Sequence, residues 1–227
     1  MTVRLLLVRH GVTTWNREGR FQGHLDPPLD QIGVEQAQLL GARLAAEEAG
    51  PLRIVTSPLT RAASTAAVLA DALEGAGVAV ARSTHAGLME IGQGDWSGQT
   101  HDEIARDEPE RYAAWRAGGG QVAPPGGEAI VAAEGRIVSA LDELIGGDGA
   151  TLCLVSHGGI LRLAAGHLLG LPPVTAWAFD VDNASLSRLG RPGASEPWRI
   201  EAWNDTAHLL GHAPLHEDEV DGAPLAL

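Results

Sequence analysis

Two histidines and two arginines stand where three apolar segments of the sequence end. VRLLLV at positions 3–8 leads into Arg9-His10-Gly11, and TLCLV at 151–155 leads into Ser156-His157-Gly158-Gly159. A third apolar segment, at 53–56, is followed by SPLTRA at 57–62, which contains Arg61. An imidazole can act as nucleophile, acid or base, and a guanidinium presents a planar set of donors to an oxyanion. These residue types predict chemistry on an anionic substrate.

The elements that must position these residues read as buried strands of an α/β protein. Continuous apolar runs are typical of strands covered on both faces of a parallel sheet. Alternation of such strands with amphipathic segments predicts an α/β fold with a mainly parallel sheet. The predicted strands are at 3–8, 53–56, 78–81, 151–155, 177–189 and 198–203. The predicted helices follow Asp30, begin at Ser57-Pro58, and span about 129–144 and 158–169.

Ligands of open α/β sheets bind beyond the carboxyl ends of the strands, where all three polar clusters fall. Two of these strands pass into helices, whose free N–H groups favour an anion. A lone arginine or histidine is usually a surface or packing residue. Gathering like charges at three strand ends has no structural reason of its own, and a bound phosphate would explain it.

The composition excludes several other chemistries. The formal net charge is −13, and all 16 basic residues are arginine, so that lysine-dependent and P-loop mechanisms are excluded. The sequence contains no basic stripe of the kind that binds nucleic acid, so we expect no nucleic-acid partner. Cys153 is the only cysteine, and Gly159 stands where a thiolate phosphatase loop needs arginine. The sequence shows no membrane-length apolar segment and no disulfide framework, which predicts a cytoplasmic protein without a membrane partner.

Three further histidines could suggest a metal site, and we interpret them otherwise. His208, His212 and His216 are spaced by four residues, which would align them on one helix. Pro214 interrupts that helix, and no carboxylate completes the set. We therefore predict no metal site.

Four motifs together resemble the histidine phosphatase superfamily, which is also called phosphoglycerate mutase-like. They are LVRHGVTTWN at 7–16, SPLTRA at 57–62, LMEIGQGDWSG at 88–98 and SHGG at 156–159. Their order and approximate spacing match from residue 3 to about residue 170. The resemblance implies a doubly wound α/β fold, with helices on both faces of the sheet, and catalysis without a cofactor.

The resemblance also implies the catalytic roles. His10 would attack phosphorus and form a phosphohistidine, while Arg9, Arg61 and His157 would hold the phosphoryl oxygens. Glu90 would protonate the leaving oxygen and then deprotonate the water that cleaves the intermediate. Clustered positive charge independently favours the neutral imidazole that His10 needs for attack.

Other positions carry weaker expectations. By resemblance, Asn16 would add a hydrogen bond to the phosphate, which Gln22 and Gly23 of GRFQG would also contact. Arg111 and Arg116 could meet a second anionic group of the substrate or lie in solvent. Their roles stay open.

The chain is predicted to form a single domain over 1–211, with a covering excursion at about 90–127 and an acidic, mobile tail at 212–227. Within the excursion, Trp96 is expected to pack the segment beside the site. Tyr112 and Trp115 could line the substrate mouth or belong to the core.

The branch of the superfamily is indicated by its departures from the mutases. Glu90 is followed by IGQGDWSG without the basic-aromatic segment of phosphoglycerate mutases, and adjacent arginines are absent from 91–127. GDWSG with PPGGEAI resembles the branch that contains α-ribazole phosphatases; Glu128 within it has no assigned role. DNASLSRLG through WRIEAWND resembles glucosyl-3-phosphoglycerate phosphatases.

We therefore expect a phosphomonoester hydrolase acting on a small phosphorylated metabolite, with a sugar phosphate or glucosyl-3-phosphoglycerate as candidates. A mutase-type phosphotransferase and a non-catalytic phosphate-binding module are the alternatives. Homodimers occur in the family, and a homodimer is a further possibility here.

Overall fold

A computed structural model of the chain describes residues 3–118, 122–146, 150–193 and 195–211. Its strands are β1 (Val3–Arg9), β2 (Leu52–Thr56), β3 (Val80–Thr84), β4 (Thr151–Ser156), β5 (Leu186–Arg191) and β6 (Arg199–Asp205). They form one sheet in the order β3-β2-β4-β1-β5-β6. The strands β3, β2, β4 and β1 pair in parallel, and β5 and β6 continue the sheet antiparallel. The prediction of a mainly parallel α/β sheet is confirmed.

Helices cover both faces of this sheet. They are α1 (Thr14–Arg17), α2 (Gln31–Glu47), α3 (Thr60–Gly75), α4 (His101–Asp107), α5 (Pro109–Ala117), α6 (Ile130–Leu144) and α7 (Gly158–Leu168). Successive side chains of a strand point to opposite faces, so that Leu5 and Leu7 pack with α6 and α7. Leu6 and Val8 pack with α2 and α3 on the other face. The apolar run of β1 thus reflects burial on both sides, as in a doubly wound fold.

The helix after β2 begins later than predicted. Ser57-Pro58 was expected to supply the cap and the first helical residue, whereas α3 begins at Thr60 and its N-cap is Leu59. Asp26, from a distant loop, accepts hydrogen bonds from the Thr60 backbone N–H and hydroxyl, both at 2.7 Å. Ser57 Oγ instead lies 2.8 Å from His157 Nε2. The local capping signal at Ser57 was wrong because a tertiary contact caps the helix.

The predicted strand at 177–189 was wrong over its first half. A short 3₁₀ helix, Pro173–Ala178, precedes an irregular stretch, and β5 begins only at Leu186. The carbonyl oxygens of Phe179 and Val181 accept hydrogen bonds from arginine side chains rather than from a strand. The other predicted elements are present with shifted ends; β3, for example, begins at Val80 rather than Val78.

The excursion between β3 and α6 carries α4 and α5 and packs through aromatic side chains. Trp96 is fully buried, and its indole Nε1 donates to Glu108 at 2.9 Å. Tyr112 and Trp115 are also buried in this cluster, so that they belong to the core rather than to a substrate mouth. The packing expected of Trp96 is confirmed. The acidic segment at 212–227 lies outside the described residues.

Candidate active site

The register of the three central strands brings the polar clusters together. Arg9 is paired with Ser156 across β1 and β4, and Thr56 is paired with Val155 across β2 and β4. The residues that follow these pairs therefore emerge side by side at one edge of the sheet. The imidazole centroids of His10 and His157 are 5.1 Å apart. Both rings are buried, with exposures of 3% and 0%.

The His10 imidazole is held in one tautomer. Its Nδ1 lies 2.7 Å from the carbonyl oxygen of Gly11, which can only accept a hydrogen bond. The proton must therefore sit on Nδ1, leaving the lone pair on Nε2. Burial, followed by the positive charges of Arg61 and Arg9, holds the pKa of His10 well below its usual value. His10 is neutral near pH 7 and presents a nucleophilic nitrogen.

His157 is oriented by the hydroxyl of Ser57. The His157 Nε2 is 2.8 Å from Ser57 Oγ, and this oxygen also accepts from the Leu59 backbone N–H at 3.3 Å. Burial and nearby Arg61 lower the pKa of His157 well below its usual value. If the Ser57 hydroxyl donates to Nε2, the remaining proton lies on Nδ1. That buried nitrogen has no hydrogen-bond partner among the described residues.

Two guanidinium groups complete the cationic cluster. Arg9 Nη1 donates to the Val181 carbonyl at 2.8 Å, and Arg61 donates from its two Nη atoms to the carbonyls of Leu25 and Gly23, both at 2.9 Å. These contacts fix the planes of the guanidinium groups. The Nε atoms of both arginines are buried without a partner in the described part of the chain. Orphaned buried N–H groups on cationic side chains are typical of an anion site.

Glu90 closes the cluster on the side of α7. Its Oε2 accepts from the Gly159 backbone N–H at 3.3 Å, and its Oε1 accepts from the Ile91 N–H at 2.9 Å. The carboxyl group, on a residue only 2% exposed, thus lies at the N-terminus of α7 next to His157. One free N–H of that helix is therefore taken by Glu90, which the sequence analysis did not foresee.

An ion pair that sequence reasoning missed holds the backbone of Glu90. Arg136 of α6 donates to the carbonyls of Gly87 at 2.9 Å, Met89 at 2.7 Å and Glu90 at 3.3 Å. It also forms two hydrogen bonds with the Glu128 carboxylate, at 3.0 and 2.7 Å. Glu128 in turn accepts from the Gly92 N–H at 3.1 Å. The pair therefore fastens both flanks of Glu90 to α6, which gives Glu128 a structural role.

The predicted substrate-binding residues lie in the same region. Asn16 Oδ1 accepts from the Thr13 N–H at 3.1 Å, so that only its amide nitrogen is left to donate outward. Gln22 is buried, and its Oε1 has no partner among the described residues. Gly23 contacts the site through its carbonyl, which orients Arg61. All three lie between β1 and α2, Asn16 within α1, and Gly23 is the one that contacts Arg61.

The remaining candidates do not join this cluster. Arg111 pairs with Glu108 on the excursion at 3.5 Å, and the Arg116 guanidinium lies 6.0 Å from the Tyr112 ring centroid. His208 lies 3.4 Å from Arg43, while His212 and His216 lie outside the described residues. Within the described ranges, no group of three or more His, Cys, Asp or Glu side chains is placed to hold a metal ion. No helix there is long and apolar enough to cross a membrane.

Fold and site together are those of a class of enzyme: an α/β protein in which two neutral histidines, buried arginines and a carboxyl group converge at the strand ends. The chain matches the family model of the histidine phosphatase superfamily (branch 1) over residues 5–206 and belongs to that superfamily. The predicted family is confirmed, and the protein is a phosphatase.

Individual relatives show where in the superfamily the similarity is high. The chain is 36% identical to the glucosyl-3-phosphoglycerate phosphatase of Mycolicibacterium vanbaalenii, covering 91% of this chain and 96% of the relative. It is 34% identical to the "Probable phosphoglycerate mutase GpmB" of Yersinia enterocolitica, covering 91% and 95%. A mycobacterial glucosyl-3-phosphoglycerate phosphatase solved with VO3 superimposes with a TM-score of 0.76 at 34% identity, covering 89% of this chain and 99% of the other.

Proposed function

We propose that this phosphatase hydrolyses its substrate through a phosphohistidine on His10. The observation that carries the proposal is the state of His10: buried, neutral and protonated on Nδ1, with Nε2 free for attack. In-line attack of Nε2 on phosphorus forms the N–P bond as the ester P–O bond breaks. The N–H groups of Arg9, Arg61 and His157 are donors for the phosphoryl oxygens, whose charge they stabilise in the transition state.

Glu90 is proposed as the acid and base of the two half-reactions. In the first half its carboxyl proton passes to the leaving oxygen, which departs as an alcohol. In the second half the carboxylate takes a proton from water, the hydroxyl oxygen attacks phosphorus, and His10 is released. The hydrogen bonds from Gly159 and Ile91 support the site for this carboxyl group at the start of α7.

The proposed substrate is a small phosphorylated metabolite, with glucosyl-3-phosphoglycerate as the first candidate. Similarity to phosphatases named for that substrate supports this choice, as does the resemblance in the late strands. The homodimer and the cytoplasmic location stay predictions, which light scattering and cell fractionation would test.

Phosphate release from a panel of esters, measured in EDTA, tests the function. The panel contains p-nitrophenyl phosphate, 3-phosphoglycerate, phosphoserine, sugar phosphates and glucosyl-3-phosphoglycerate. His10→Ala should abolish release from every ester, and retained turnover would refute the mechanism. Conversion of 3-phosphoglycerate to 2-phosphoglycerate would instead support a mutase, as the relative of that name suggests. Binding of phosphate without turnover would support the non-catalytic module.

Glu90→Gln separates the two half-reactions. Alkyl esters need a protonated leaving group, so their kcat should fall by about 10²- to 10⁴-fold, the usual contribution of a general acid. p-Nitrophenolate leaves without a proton, so the variant should still release one equivalent of p-nitrophenolate per enzyme in a burst. Slow hydrolysis of phosphohistidine should follow, because that step lacks its base. Equal losses on both esters without a burst would remove Glu90 from both roles.

A further inference from the structure

Arg162, one turn into α7, is a buried arginine that none of the proposed catalytic steps uses. Its side chain is 5% exposed, and its Nε donates to the Phe179 carbonyl at 2.7 Å. Two residues along, the Val181 carbonyl accepts from Arg9 Nη1 at 2.8 Å. The Arg162 and Arg9 guanidinium groups thus donate to the carbonyls of Phe179 and Val181, which belong to one irregular stretch. That stretch is the one in which the predicted strand failed to form.

The guanidinium of Arg162 reaches the edge of the phosphate cluster. A Cβ atom built on Gly158 would lie 3.5 Å from Arg162 Nη1 and 3.6 Å from Arg9 Nε. The two arginines therefore meet across the first residue of α7. The next residue, Gly159, donates its N–H to the Glu90 carboxylate. Arg162 accordingly lies near Glu90, the proposed proton donor, at the N-terminus of α7.

The guanidinium of Arg162 forms no ion pair or hydrogen bond with a carboxylate among the described residues, although the charge of Glu90 acts on it through space. Its one hydrogen bond there comes from Nε. Asp180 and Asp182 act on it less strongly than Glu90, and the Asp182 carboxylate accepts a hydrogen bond from Asn204 at 2.9 Å. Burial, with a smaller effect of Arg9, lowers the pKa of Arg162 to about 10, which still leaves it charged at neutral pH. A buried charge of this kind is costly unless an anion meets it.

We propose that Arg162 binds a carboxylate of the leaving group and so selects phosphate esters of hydroxy acids. This inference rests on the proposed function of the His10 cluster. In 3-phosphoglycerate and in phosphoserine the carboxylate is separated from the ester oxygen by two carbon atoms. Such a group can turn towards Arg162 while the phosphoryl group lies among Arg9, Arg61 and His157. A phosphoglycerate also occurs in the names of all three relatives described above.

Matched substrate pairs test this assignment. 3-Phosphoglycerate differs from glycerol 3-phosphate in carrying a carboxylate in place of a hydroxymethyl group, and phosphoserine differs from phosphoethanolamine in carrying a carboxylate in place of hydrogen. The wild-type protein should prefer the acid in each pair. Arg162→Gln should lower kcat/KM for the acids by about 10- to 100-fold, mainly through KM, the factor expected for one charge-assisted contact. The partners that lack the carboxylate should change less than about threefold.

Controls separate the alternatives. Arg162→Lys should retain part of the preference, and Arg111→Gln, on the exposed face of the excursion, should retain all of it. p-Nitrophenyl phosphate, which lacks a carboxylate, reports on the His10 cluster alone. The inference would be overturned if the wild-type protein showed no preference for the acids while it and Arg162→Gln both hydrolysed p-nitrophenyl phosphate. That result would leave the proposed function intact. An equal loss of kcat/KM on both members of a pair would show that Arg162 only orients the Phe179 carbonyl and does not bind a substrate carboxylate. Failure of the wild type on every ester would instead refute the proposed function.

Discussion

Replacing Arg136 should impair proton transfer by Glu90 although Arg136 itself lies behind the site. Arg136→Met keeps an unbranched apolar stem and removes the hydrogen bonds to the carbonyls of Gly87, Met89 and Glu90. It also leaves Glu128 with the Gly92 N–H as its hydrogen-bond donor among the described residues. The backbone on both sides of Glu90 then loses its attachment to α6.

The expected cost follows from the geometry of the pair. Breaking a buried ion pair costs about 3–5 kcal/mol. The Arg136 and Glu128 side chains are 23% and 19% exposed, so that water can replace part of what is lost. We therefore expect the free energy of unfolding to fall by about 2–3 kcal/mol. Glu128→Gln, which keeps the shape and the contact with Gly92, should cost less than half of that.

The effect on activity should depend on the leaving group. A displaced Glu90 carboxyl group protonates alkyl leaving groups poorly. The kcat for 3-phosphoglycerate, or for another alkyl ester that the protein hydrolyses, should therefore fall by at least about tenfold. The loss should not exceed the one measured for Glu90→Gln. The rate of the p-nitrophenolate burst from p-nitrophenyl phosphate should change little, because this leaving group departs without a proton. Both are measured well below the melting temperature of the variant. An equal fall for both esters, or no fall at all, would show that the pair stabilises the fold without positioning Glu90.

Two further predictions concern stability. Burial lowers the pKa of His101 to about 4, so the unfolded chain binds this proton first and stability is lost as the pH falls below about 6.5, by up to about 1.4 kcal/mol per pH unit for this residue. Urea unfolding between pH 7 and pH 5 should show this loss, and His101→Gln should flatten the dependence by about one proton; an unchanged slope would contradict the assignment. Gly94 has a φ of +52°, and a Cβ there would collide with the Pro125 carbonyl, so Gly94→Ala should cost clearly more than the ~1–2 kcal/mol of left-handed strain alone. Gly77→Ala, with a φ of +84° and no atom within 4 Å of the new methyl group, is the matched control, and equal melting temperatures of the two variants would refute the collision.

Sequence patterns predicted the parallel centre of the fold because its signals are local. The apolar runs of β1 and β4 are buried on both faces, and each ends directly at a histidine. The parallel pairing of these strands then makes the convergence of His10 and His157 a matter of register, which a pattern of strand ends can reveal. The predicted boundaries failed where a distant residue decides them. Asp26 caps α3 across 34 positions of sequence, and no pattern around Ser57 indicates this.

The supporting residues of the site could not be found in the same way. A buried arginine within an apolar helix has the sequence signature of a surface charge, and what distinguishes Arg162 is that the irregular stretch at Phe179 packs back over α7. The same stretch was predicted as part of a strand, whereas two of its carbonyls accept hydrogen bonds from Arg9 and Arg162. At Phe179 and Val181 the carbonyls accept from arginine side chains and not from a neighbouring strand. The failure of the strand prediction therefore marks the place where main-chain carbonyls hold Arg9 and Arg162 beside the proposed phosphate site.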